Sequence, residues 1–503
     1  MSGGKSLFDL IFNPSSVAVI GASRKEGSPG YIIFSNMVKN VRNGILKARV
    51  FGVNIKGGRL FGYDLFKSIL DVPAHIEHAV IAVPARSVPN ILEECGMKGV
   101  PVATIISSGF SEVGNIELEE KLLDIASRYN MRIIGPNCLG VYDPYSGMDT
   151  IFVPEKKRVN GEEIINLARP PRGLIAFLSQ SGALGGVILD YLAGEEIGIS
   201  RFICWGNKID VDEADILPLL IDDEKTRVIA LYVEAIKKRA REIVEICRKT
   251  TRFKPIILLK GGITSSGQRA TMSHTASMAG QPDIFISAFR NSGCLIASDV
   301  SSMLDMAKAL ALQPPAKGKN VCIITNGGGP GIITADLAEK NGLRVPSLSE
   351  KTLMELKRYV SEGAIPDIAT FANPIDLSGM ATDESHIVAT EIAMRDDRVD
   401  IVILLALHHI PYVTNRLPYE ISRIVRDYKK PIVVVDIGLL GLSQFVRRAF
   451  EENNIPSYSL PERAVNGACG LAYYGAWLRK NNIYRDYLEN WIPPKASTKI
   501  LVK

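Results

Sequence analysis

Residues 321–339 read VCIITNGGGPGIITADLAE, and this stretch decides the class of fold. The short apolar run at 321–325 predicts a buried strand, and the residues from about 332 to 339 predict a helix. The glycines between them let main-chain N–H groups approach an anion closely, because no side chains intervene. The turn lacks the Gly-Lys-Ser/Thr ending of a P-loop. A strand, a glycine-rich turn and a helix form the repeating unit of doubly wound α/β domains.

The same unit recurs outward from this stretch, because short apolar runs alternate with amphipathic segments along almost the whole chain. The runs are continuously apolar, as strands buried on both faces must be, so they predict mainly parallel sheets. The predicted fold is therefore α/β, with three consecutive Rossmann- or flavodoxin-like domains. The other predicted strands lie at residues 17–20, 50–53, 79–83, 102–107, 132–134, 174–178, 228–233, 255–259, 401–405 and 431–435.

Breaks in composition place the domain boundaries. Residues 155–172 are polar and end in Pro-Pro, and residues 313–319 read QPPAKGK. A length of 503 residues agrees with about three domains at roughly 150 residues each. The predicted segments are a first domain at 1–145, a second at 146–312, a third at 318–480 and a C-terminal tail at 481–503.

Composition excludes several classes of protein. Apolar residues make up 46% and charged residues 22% of the chain, which is the balance of a globular protein. The net charge of +5 is spread along the chain, so no nucleic-acid partner is expected. The seven cysteines form no CxxC pair, which argues against a zinc ribbon or a disulfide framework. No signal peptide or membrane-spanning run is evident, so we expect a cytoplasmic protein without a membrane partner.

The first domain opens with another strand, turn and helix, and its turn holds Gly21, Ala22 and Ser23. Such a turn is typical of a phosphate site, because the helix start offers N–H donors and a positive dipole end. The dinucleotide fingerprint GxGxxG is not matched, since Ser23 occupies the place of its second glycine. Lys56 follows the second strand, where an NAD site would place an acid. The cation favours a phosphorylated ribose or a polyphosphate, and a turn that binds nothing remains the alternative.

The second domain contains two candidate elements. Ser181 and Gly182 follow a strand and open an apolar helix, although an ordinary capped helix would look the same. His274 lies in a stretch rich in Gly, Ser and Thr (260–280), which predicts a polar loop. An imidazole on such a loop can act as a nucleophile that forms a covalent intermediate.

Other polar residues are predicted to be structural. The turn at 205–207 and the carboxylates after it predict a solvated loop and a helix cap rather than a metal site. The remaining histidines have less distinctive settings. His75 and His78 are expected on a surface connection, His386 on a helix start, and His408 and His409 after a strand.

Several motifs together resemble the succinyl-CoA synthetase superfamily, particularly its ADP-forming (NDP-forming) acetate/acyl-CoA synthetase branch. SHTASMAG (273–280) resembles that family's phosphohistidine loop SHTGxLAG, and Glu234 stands where the family has the glutamate that binds the histidine. Ala276 replaces a glycine, and Ile55 replaces the proline of the usual VNPK. The motifs that resemble the family's CoA-binding domain are VAVIGAS (17–23), VNIK (53–56), AVPA (82–85), SSGFSEVG (107–114) and RIIGPNCLGV (132–141).

The resemblance implies an acid–thiol ligase that interconverts a carboxylic acid, CoA and ATP with acyl-CoA, ADP and phosphate. The reaction would pass through an acyl phosphate, with His274 carrying the phosphoryl group and Glu234 supporting it. The residues implied in coenzyme A binding are Gly21, Ala22, Ser23, Lys56, Val83, Pro84, Ser108 and Asn137. The residues implied in phosphate binding, from two helix starts that face each other, are Ser181, Gly182, Asn326, Gly327, Gly328 and Gly329.

No ATP-grasp domain is recognisable in the sequence. The resemblance therefore implies that ATP or ADP and Mg²⁺ bind to a separate ATP-grasp β subunit, in an α₂β₂ assembly. A succinyl- or malyl-CoA synthetase-type subunit remains an alternative, although such α subunits are expected to end after the second domain. A non-catalytic CoA-binding regulatory protein is a second alternative, and a NAD-dependent dehydrogenase is disfavoured by Lys56. The acid, the physiological direction and the role of the tail stay open.

Overall fold

The structure is a computed structural model that describes residues 5–236, 238–275 and 281–494, with the main chain alone at 272–275. The chain divides into two compact units, Met1–Ile296 and Ala297–Lys503. Among the described helices, none is both long and apolar enough to cross a bilayer.

The first sheet has seven strands in the order β3-β4-β2-β1-β5-β6-β7. The strands are β1 (Ser16–Ile20), β2 (Arg49–Val53), β3 (Gly58–Leu60), β4 (Tyr63–Phe66), β5 (His78–Ile81), β6 (Val102–Ile105) and β7 (Arg132–Ile134). The helices are α1 (Leu7–Phe12), α2 (Pro29–Arg42), α3 (Val88–Met97) and α4 (Ile116–Tyr129), with 3-10 turns at Ile69–Asp71, Ala85–Ser87 and Ser111–Val113. Strand β1 pairs in parallel with β2 on one side and with β5 on the other. This reversal of strand order makes the carboxyl end of β1 the expected ligand crevice.

The second sheet also has seven strands, in the order β16-β15-β14-β12-β13-β8-β9, and a separate hairpin pairs β10 with β11. The strands are β8 (Gly140–Asp143), β9 (Met148–Asp149), β10 (Lys156–Val159), β11 (Glu162–Ile165), β12 (Arg172–Ser179), β13 (Ile199–Cys204), β14 (Val228–Val233), β15 (Ile256–Lys260) and β16 (Leu295–Ala297). The helices are α5 (Gly182–Gly194), α6 (Glu213–Ile221), α7 (Ala240–Thr250), α8 (Ser265–Thr275) and α9 (Pro282–Asn291). Strand β12 pairs in parallel with β13 and β14, and β14 pairs in parallel with β15.

The third sheet has six strands in the order β18-β19-β17-β20-β21-β22. The strands are β17 (Val321–Thr325), β18 (Thr370–Phe371), β19 (Ile375–Asp376), β20 (Ile401–Leu405), β21 (Ile432–Val435) and β22 (Ser457–Tyr458). The helices are α10 (Val300–Leu312), α11 (Gly328–Lys340), α12 (Glu350–Ser361), α13 (Asp383–Arg395), α14 (Leu417–Asp427), α15 (Gly441–Glu452), α16 (Pro461–Lys480) and α17 (Tyr484–Asn490).

These sheets confirm the predicted α/β class with mainly parallel strands. The domain boundaries themselves stay predictions. Helix α10, which the predicted boundaries assign to the second domain, packs against α16 within the second compact unit. The start of α11 differs from expectation, because the helix begins at Gly328 and not near residue 332.

The second and third sheets repeat the same construction at their central strands. Ser179 ends β12 and Thr325 ends β17, and each hydroxyl donates a hydrogen bond to the carbonyl two residues later, at 2.7 and 2.8 Å. The next residue is Gln180 or Asn326, whose side-chain oxygen accepts the main-chain N–H just beyond β14 or β20, at 2.9 and 3.0 Å. In both sheets, an amide side chain therefore fixes the end of the neighbouring strand beside a helix start.

The repeat extends to the next strand, since Lys-Pro precedes both β15 and β21 and each of these strands begins with Ile. The ammonium group of Lys254 donates to two carbonyls at the end of α6, at 2.6 and 2.7 Å. Lys430 donates to two carbonyls at the end of α13, at 3.2 and 2.7 Å. A cation at the negative end of a helix dipole is stabilising. Six positions later (260 − 254 and 436 − 430) the repeats differ, with Lys260 in one and Asp436 in the other.

Candidate active site

A cavity of about 520 Å³ in the first unit is lined by residues from both of its large sheets. It brings together five residues that the sequence assigned to three different roles, namely Ser108, Asn137, Ser181, Gly182 and Glu234. The other lining residues are Ile106, Cys138, Leu139, Phe152, Val153, Leu167, Gln180, Ala183, Gly186, Val187, Gly206 and Asn207. Predicted coenzyme A, phosphate and catalytic residues therefore share one space.

The start of α5 forms one wall of this cavity. Ser181 is the N-cap, and its hydroxyl accepts the N–H of Leu184 at 3.3 Å. Gly182 and Ala183 follow in the first turn and line the cavity. The N–H groups and the positive dipole end of a helix start suit an anion such as a phosphoryl group.

Glu234 lies just beyond β14 and only 9% of it is exposed. Gln180 Oε1 accepts the N–H groups of Glu234 and Ala235, at 2.9 and 3.0 Å. The ammonium group of Lys260 donates to the Glu234 carbonyl at 2.7 Å, and the Tyr232 hydroxyl donates to Glu234 Oε1 at 3.2 Å. Burial raises the pKa of Tyr232, and the nearby Glu234 raises it further, so the tyrosine stays a hydrogen-bond donor. Hydrogen bonds thus hold the backbone of Glu234 at the cavity that this residue lines.

Asn137 has a left-handed backbone conformation, with φ of 56°. Its N–H donates to the Ser107 carbonyl at 2.9 Å, and its side-chain amide donates to Asn207 Oδ1 at 3.2 Å. Gly206 packs directly against the Asn137 main chain, so a Cβ at Gly206 would overlap the Asn137 carbonyl. These contacts join the first sheet to the turn after β13.

The turn at residues 205–207 contributes to the cavity, which its sequence did not indicate. The prediction of a solvated loop is wrong for Trp205, which is fully buried, and Gly206 and Asn207 line the cavity. The Asn207 amide also donates to Glu112 at 2.6 Å. Burial alone would raise the pKa of Glu112, but hydrogen bonds from Asn207 and from backbone N–H groups lower it overall. The predicted helix cap is confirmed, because Asp212 caps α6.

His274 belongs to the last turn of α8, so the prediction of a loop is wrong for its main chain. Its side chain lies outside the described part of the chain, as do residues 276–280 of the SHTASMAG motif. The helix starts beside Thr264, whose hydroxyl accepts the N–H of Gly267 at 3.1 Å. Helix α8 contacts the turn Ser111–Val113, close to the loop that carries Ser108. Tertiary contacts of this kind override the low helix propensity of Gly, Ser and Thr.

Gly21, Ala22 and Ser23 form the turn at the carboxyl end of β1. The N–H groups of Gly21 and Ala22 both donate to the Val53 carbonyl, at 2.9 and 3.2 Å, so they are used within the protein. A Cβ at Gly30 would overlap the Gly21 carbonyl, so α2 packs directly on the turn. The N–H groups of Gly21 and Ala22 therefore support the turn itself, and that the turn contacts coenzyme A stays a prediction.

Lys56 is exposed on a loop that is tied to this turn. The Asn54 side chain donates to the Ala22 carbonyl at 3.0 Å and accepts the Lys56 N–H at 3.0 Å. Asn54 thus shapes the loop even though Ile55 replaces the proline of the usual motif. The guanidinium of Arg24 lies against Gly58, so two cations flank the loop.

Val83 and Pro84 follow β5 at the same edge of the first sheet. The Ser107 hydroxyl donates to the Val83 carbonyl at 2.5 Å and accepts its N–H at 3.2 Å. Gly21 lies beside the Val83 side chain, at the point where the strand order reverses. Gly21, Lys56, Val83 and Pro84 do not line the cavity, whereas Ser108 follows Ser107 and does.

The glycine-rich turn of the third sheet lies in the second unit. The Asn326 side chain donates to the Leu407 carbonyl at 3.2 Å and accepts the Leu407 N–H at 3.0 Å, so it anchors β20. Any contact of Asn326 with an anion would come from its backbone. Gly327 caps α11, and a Cβ at Gly329 would meet no neighbour within 4 Å, which leaves the helix start open. That this turn faces the start of α5 stays a prediction.

Comparisons with known proteins identify the family of this chain. Three family models match the chain: a CoA binding domain at residues 15–144, a succinyl-CoA ligase like flavodoxin domain at 172–310 and a Ligase-CoA domain at 321–481. The alpha subunit of acetate–CoA ligase [ADP-forming] II from Pyrococcus furiosus is 37% identical over 472 residues, covering 92% of this chain and 97% of the relative.

Longer relatives and solved structures match as well. The acetate–CoA ligase [ADP-forming] of Methanocaldococcus jannaschii is 35% identical over 95% of this chain, which spans 64% of that protein. The dinucleotide forming acetyl-coenzyme A synthetase 1 of Ca. Korarchaeum cryptofilum, solved with phosphate and ADP, has a TM-score of 0.83 at 34% identity. The match covers 94% of this chain and 98% of that one. The chain therefore belongs to the family of ADP-forming acetate–CoA ligase α subunits.

Proposed function

We propose that this chain is the α subunit of an ADP-forming acyl-CoA synthetase, an acid–thiol ligase. It would interconvert a carboxylic acid, CoA and ATP with acyl-CoA, ADP and phosphate. The observation that carries the proposal is the shared cavity, where Ser108 and Asn137 of the first sheet meet Ser181, Gly182 and Glu234 of the second. A thiol and a phosphoryl group must meet in one space for this reaction, and the cavity offers that space.

His274 is the proposed phosphoryl carrier. In acyl-CoA formation, a ring nitrogen of His274 attacks the γ-phosphorus of ATP, and ADP leaves. A carboxylate oxygen of the acid then takes the phosphoryl group, so the P–N bond breaks and an acyl phosphate forms. The CoA thiolate attacks the carbonyl carbon, and inorganic phosphate leaves as the C–O bond breaks. A covalent carrier divides one long transfer into local steps.

The other cavity residues support this chemistry in the proposal. The Glu234 carboxylate would bind one ring nitrogen and stabilise the imidazolium, leaving the other nitrogen for phosphorus. Ser181 and Gly182 would place the start of α5 at the transferring oxygens, and Asn137 would add an amide donor. In the first sheet, Gly21, Val83 and Pro84 would form the crevice for CoA, with Lys56 near one of its phosphates.

A separate β subunit is part of the proposal. The P. furiosus relative is named as a subunit alpha, whereas the M. jannaschii relative is a longer single chain. We infer that an ATP-grasp partner supplies the nucleotide site with its Mg²⁺, in an α₂β₂ assembly. The seven cysteines are free and buried, which suits the reducing cytoplasm that we propose as its location.

Co-expression with the ATP-grasp partner tests the function. The complex receives ATP, Mg²⁺, CoA and a panel of acetate, branched, aryl and hydroxy acids, and both nucleotide and acyl-CoA products are measured. We expect ADP and acyl-CoA in equal amounts for at least one acid. Release of AMP instead of ADP, or CoA binding without turnover of any acid by the intact complex, would overturn the assignment.

A further inference from the structure

We propose that Lys260 is a positioning residue that fixes Glu234 and the main chain leading to His274 for phosphoryl transfer. The proposal rests on the ligase function proposed above. Lys260 is not among the residues that line the cavity, so it would act through Glu234 and α8 and would not touch the substrate.

The ammonium group of Lys260 joins three separate segments. Lys260 ends β15 and is 9% exposed. Its Nζ donates to the Glu234 carbonyl at 2.7 Å and also to the carbonyl of Gly261, where the connection to α8 begins. The same ammonium lies 5.3 Å from the ring centroid of Phe285, in the next helix, α9. One cation therefore donates hydrogen bonds to Glu234 and to the start of the segment that leads to His274, and it lies against an aromatic ring of the helix after that segment.

The charge of Lys260 also fits a phosphoryl site. A Glu234 carboxylate would repel an incoming phosphoryl group at short range, since like charges repel strongly in a weakly polar interior. The ammonium group of Lys260, which is bonded to the main-chain carbonyl of the same residue, would offset this repulsion. Burial lowers the pKa of Lys260 overall, and the nearby Glu234 offsets part of that effect.

The position equivalent to Lys260 in the third sheet shows whether the fold itself requires a lysine there. Lys254 and Lys430 occupy equivalent places and both bind two carbonyls at a helix end. At the place of Lys260, the third sheet has Asp436, which is also buried, with its carboxylate 3.4 Å from His408 Nδ1. The fold therefore accepts a positive or a negative side chain at this strand end. Of the two sheets, the lysine is found in the second, whose strand β15 leads into the helix that contains His274.

The test compares Lys260→Met with Lys254→Met in the complex with the β partner. Both changes remove an ammonium bonded to two carbonyls, but Lys254 is only half-buried and precedes the start of the strand that Lys260 ends. We expect Lys260→Met to slow phosphohistidine formation about 10- to 100-fold, the effect of losing a charged hydrogen bond. In the isolated chain, amide exchange over residues 262–275 should rise about tenfold, because local opening becomes easier. Lys260→Arg should recover part of the rate, whereas Lys254→Met should change neither readout.

Thermal melts of each variant separate positioning from a general loss of stability. If Lys254→Met and Lys260→Met slow labelling equally at equal Tm, or if Lys260→Met labels at the wild-type rate, the role of Lys260 is overturned. Absence of phosphohistidine in the wild-type complex would instead overturn the ligase mechanism. The exchange measurement needs no turnover, so it reports on the contacts of Lys260 in either case.

Discussion

The Gln180 side chain holds Glu234 through its main chain, with Gln180 Oε1 2.9 Å from the Glu234 nitrogen. The two residues are 54 positions apart, yet they meet because β12 and β14 are neighbours in the sheet. A side chain that fixes a backbone leaves the carboxylate of that residue for chemistry. Gln180 is thereby a structural partner of the proposed histidine site.

Replacing Gln180 tests this relationship. Gln180→Leu would leave two buried N–H groups, those of Glu234 and Ala235, without their acceptor. An unsatisfied buried donor costs about 1–3 kcal/mol, so we expect a lower Tm together with slower turnover. Gln180→Glu keeps an oxygen in place but adds a negative charge, so it should retain the Tm better than Gln180→Leu and still slow phosphorylation. Scanning calorimetry and single-turnover labelling measure the two effects, and a faster rate in Gln180→Glu would contradict the prediction.

His274 should become phosphorylated when the complex meets ATP and Mg²⁺, or when the chain meets acyl-CoA and phosphate. A phosphohistidine is labile in acid and stable in base, so acid treatment should remove the label. His274→Asn should abolish labelling and turnover while CoA binding remains. Glu234→Gln keeps the shape but removes the charge that stabilises the imidazolium, so labelling should slow sharply. Phosphate found on Ser273 by mass spectrometry would refute the carrier role.

Lys56 should contribute to CoA binding through its charge. We expect Lys56→Ala to weaken CoA binding in calorimetry, more strongly at low salt, because ions screen exposed charges. Lys47→Ala is the matched control, since Lys47 is also exposed but precedes β2, whereas Lys56 follows it. Equal CoA affinities for wild type and Lys56→Ala at low salt would remove this residue from the site.

Acid should destabilise both units through buried histidines. Burial lowers the pKa of His78 and of His386 to about 4. Each ring is neutral in the folded state and gains a proton on unfolding below its usual pKa of about 6.5. The unfolded state then binds more protons, so stability falls as pH drops from about 6.5 towards 4. His78→Gln should flatten the pH dependence of the first unit's melting and leave the second unit's slope intact. If His78→Gln left the pH dependence of the first unit's melting unchanged, the prediction would be wrong.

The sequence predicted the α/β class well, because β17, β20 and β21 are apolar at nearly every position and buried along their length. Predictions from the sequence were wrong where the burial of a side chain depends on residues far away in the chain. His78 was expected on a surface connection, but it is buried and bonds to Leu10 and Thr104. Trp205 was expected in a solvated turn, but it is fully buried, and the next two residues, Gly206 and Asn207, contact residues that are far away in the sequence.

Apart from the tripeptide Lys-Pro-Ile that both copies share, the internal repeat leaves little trace in the sequence for a related reason. Gln180 and Asn326 differ in length, and Ser179 and Thr325 differ by a methyl group, so only their bonding roles are shared. Because these positions share a hydrogen-bonding role but differ in residue type, comparing their residues does not reveal the repeat. The turn of the first sheet also differs from expectation. The N–H groups of Gly21 and Ala22 were expected to face a ligand, but both donate hydrogen bonds to the Val53 carbonyl.

The packing of α10 decides where this protein can be divided. Ten of its residues are buried, and it lies against α16 in the second unit. A fragment that stops at residue 312, after the predicted second domain, would carry α10 without that cover. Its exposed Met and Leu side chains would favour aggregation. A fragment that stops before Val300 lacks α10, which then stays with α16 in the remainder of the chain. We therefore expect the shorter fragment to be monodisperse.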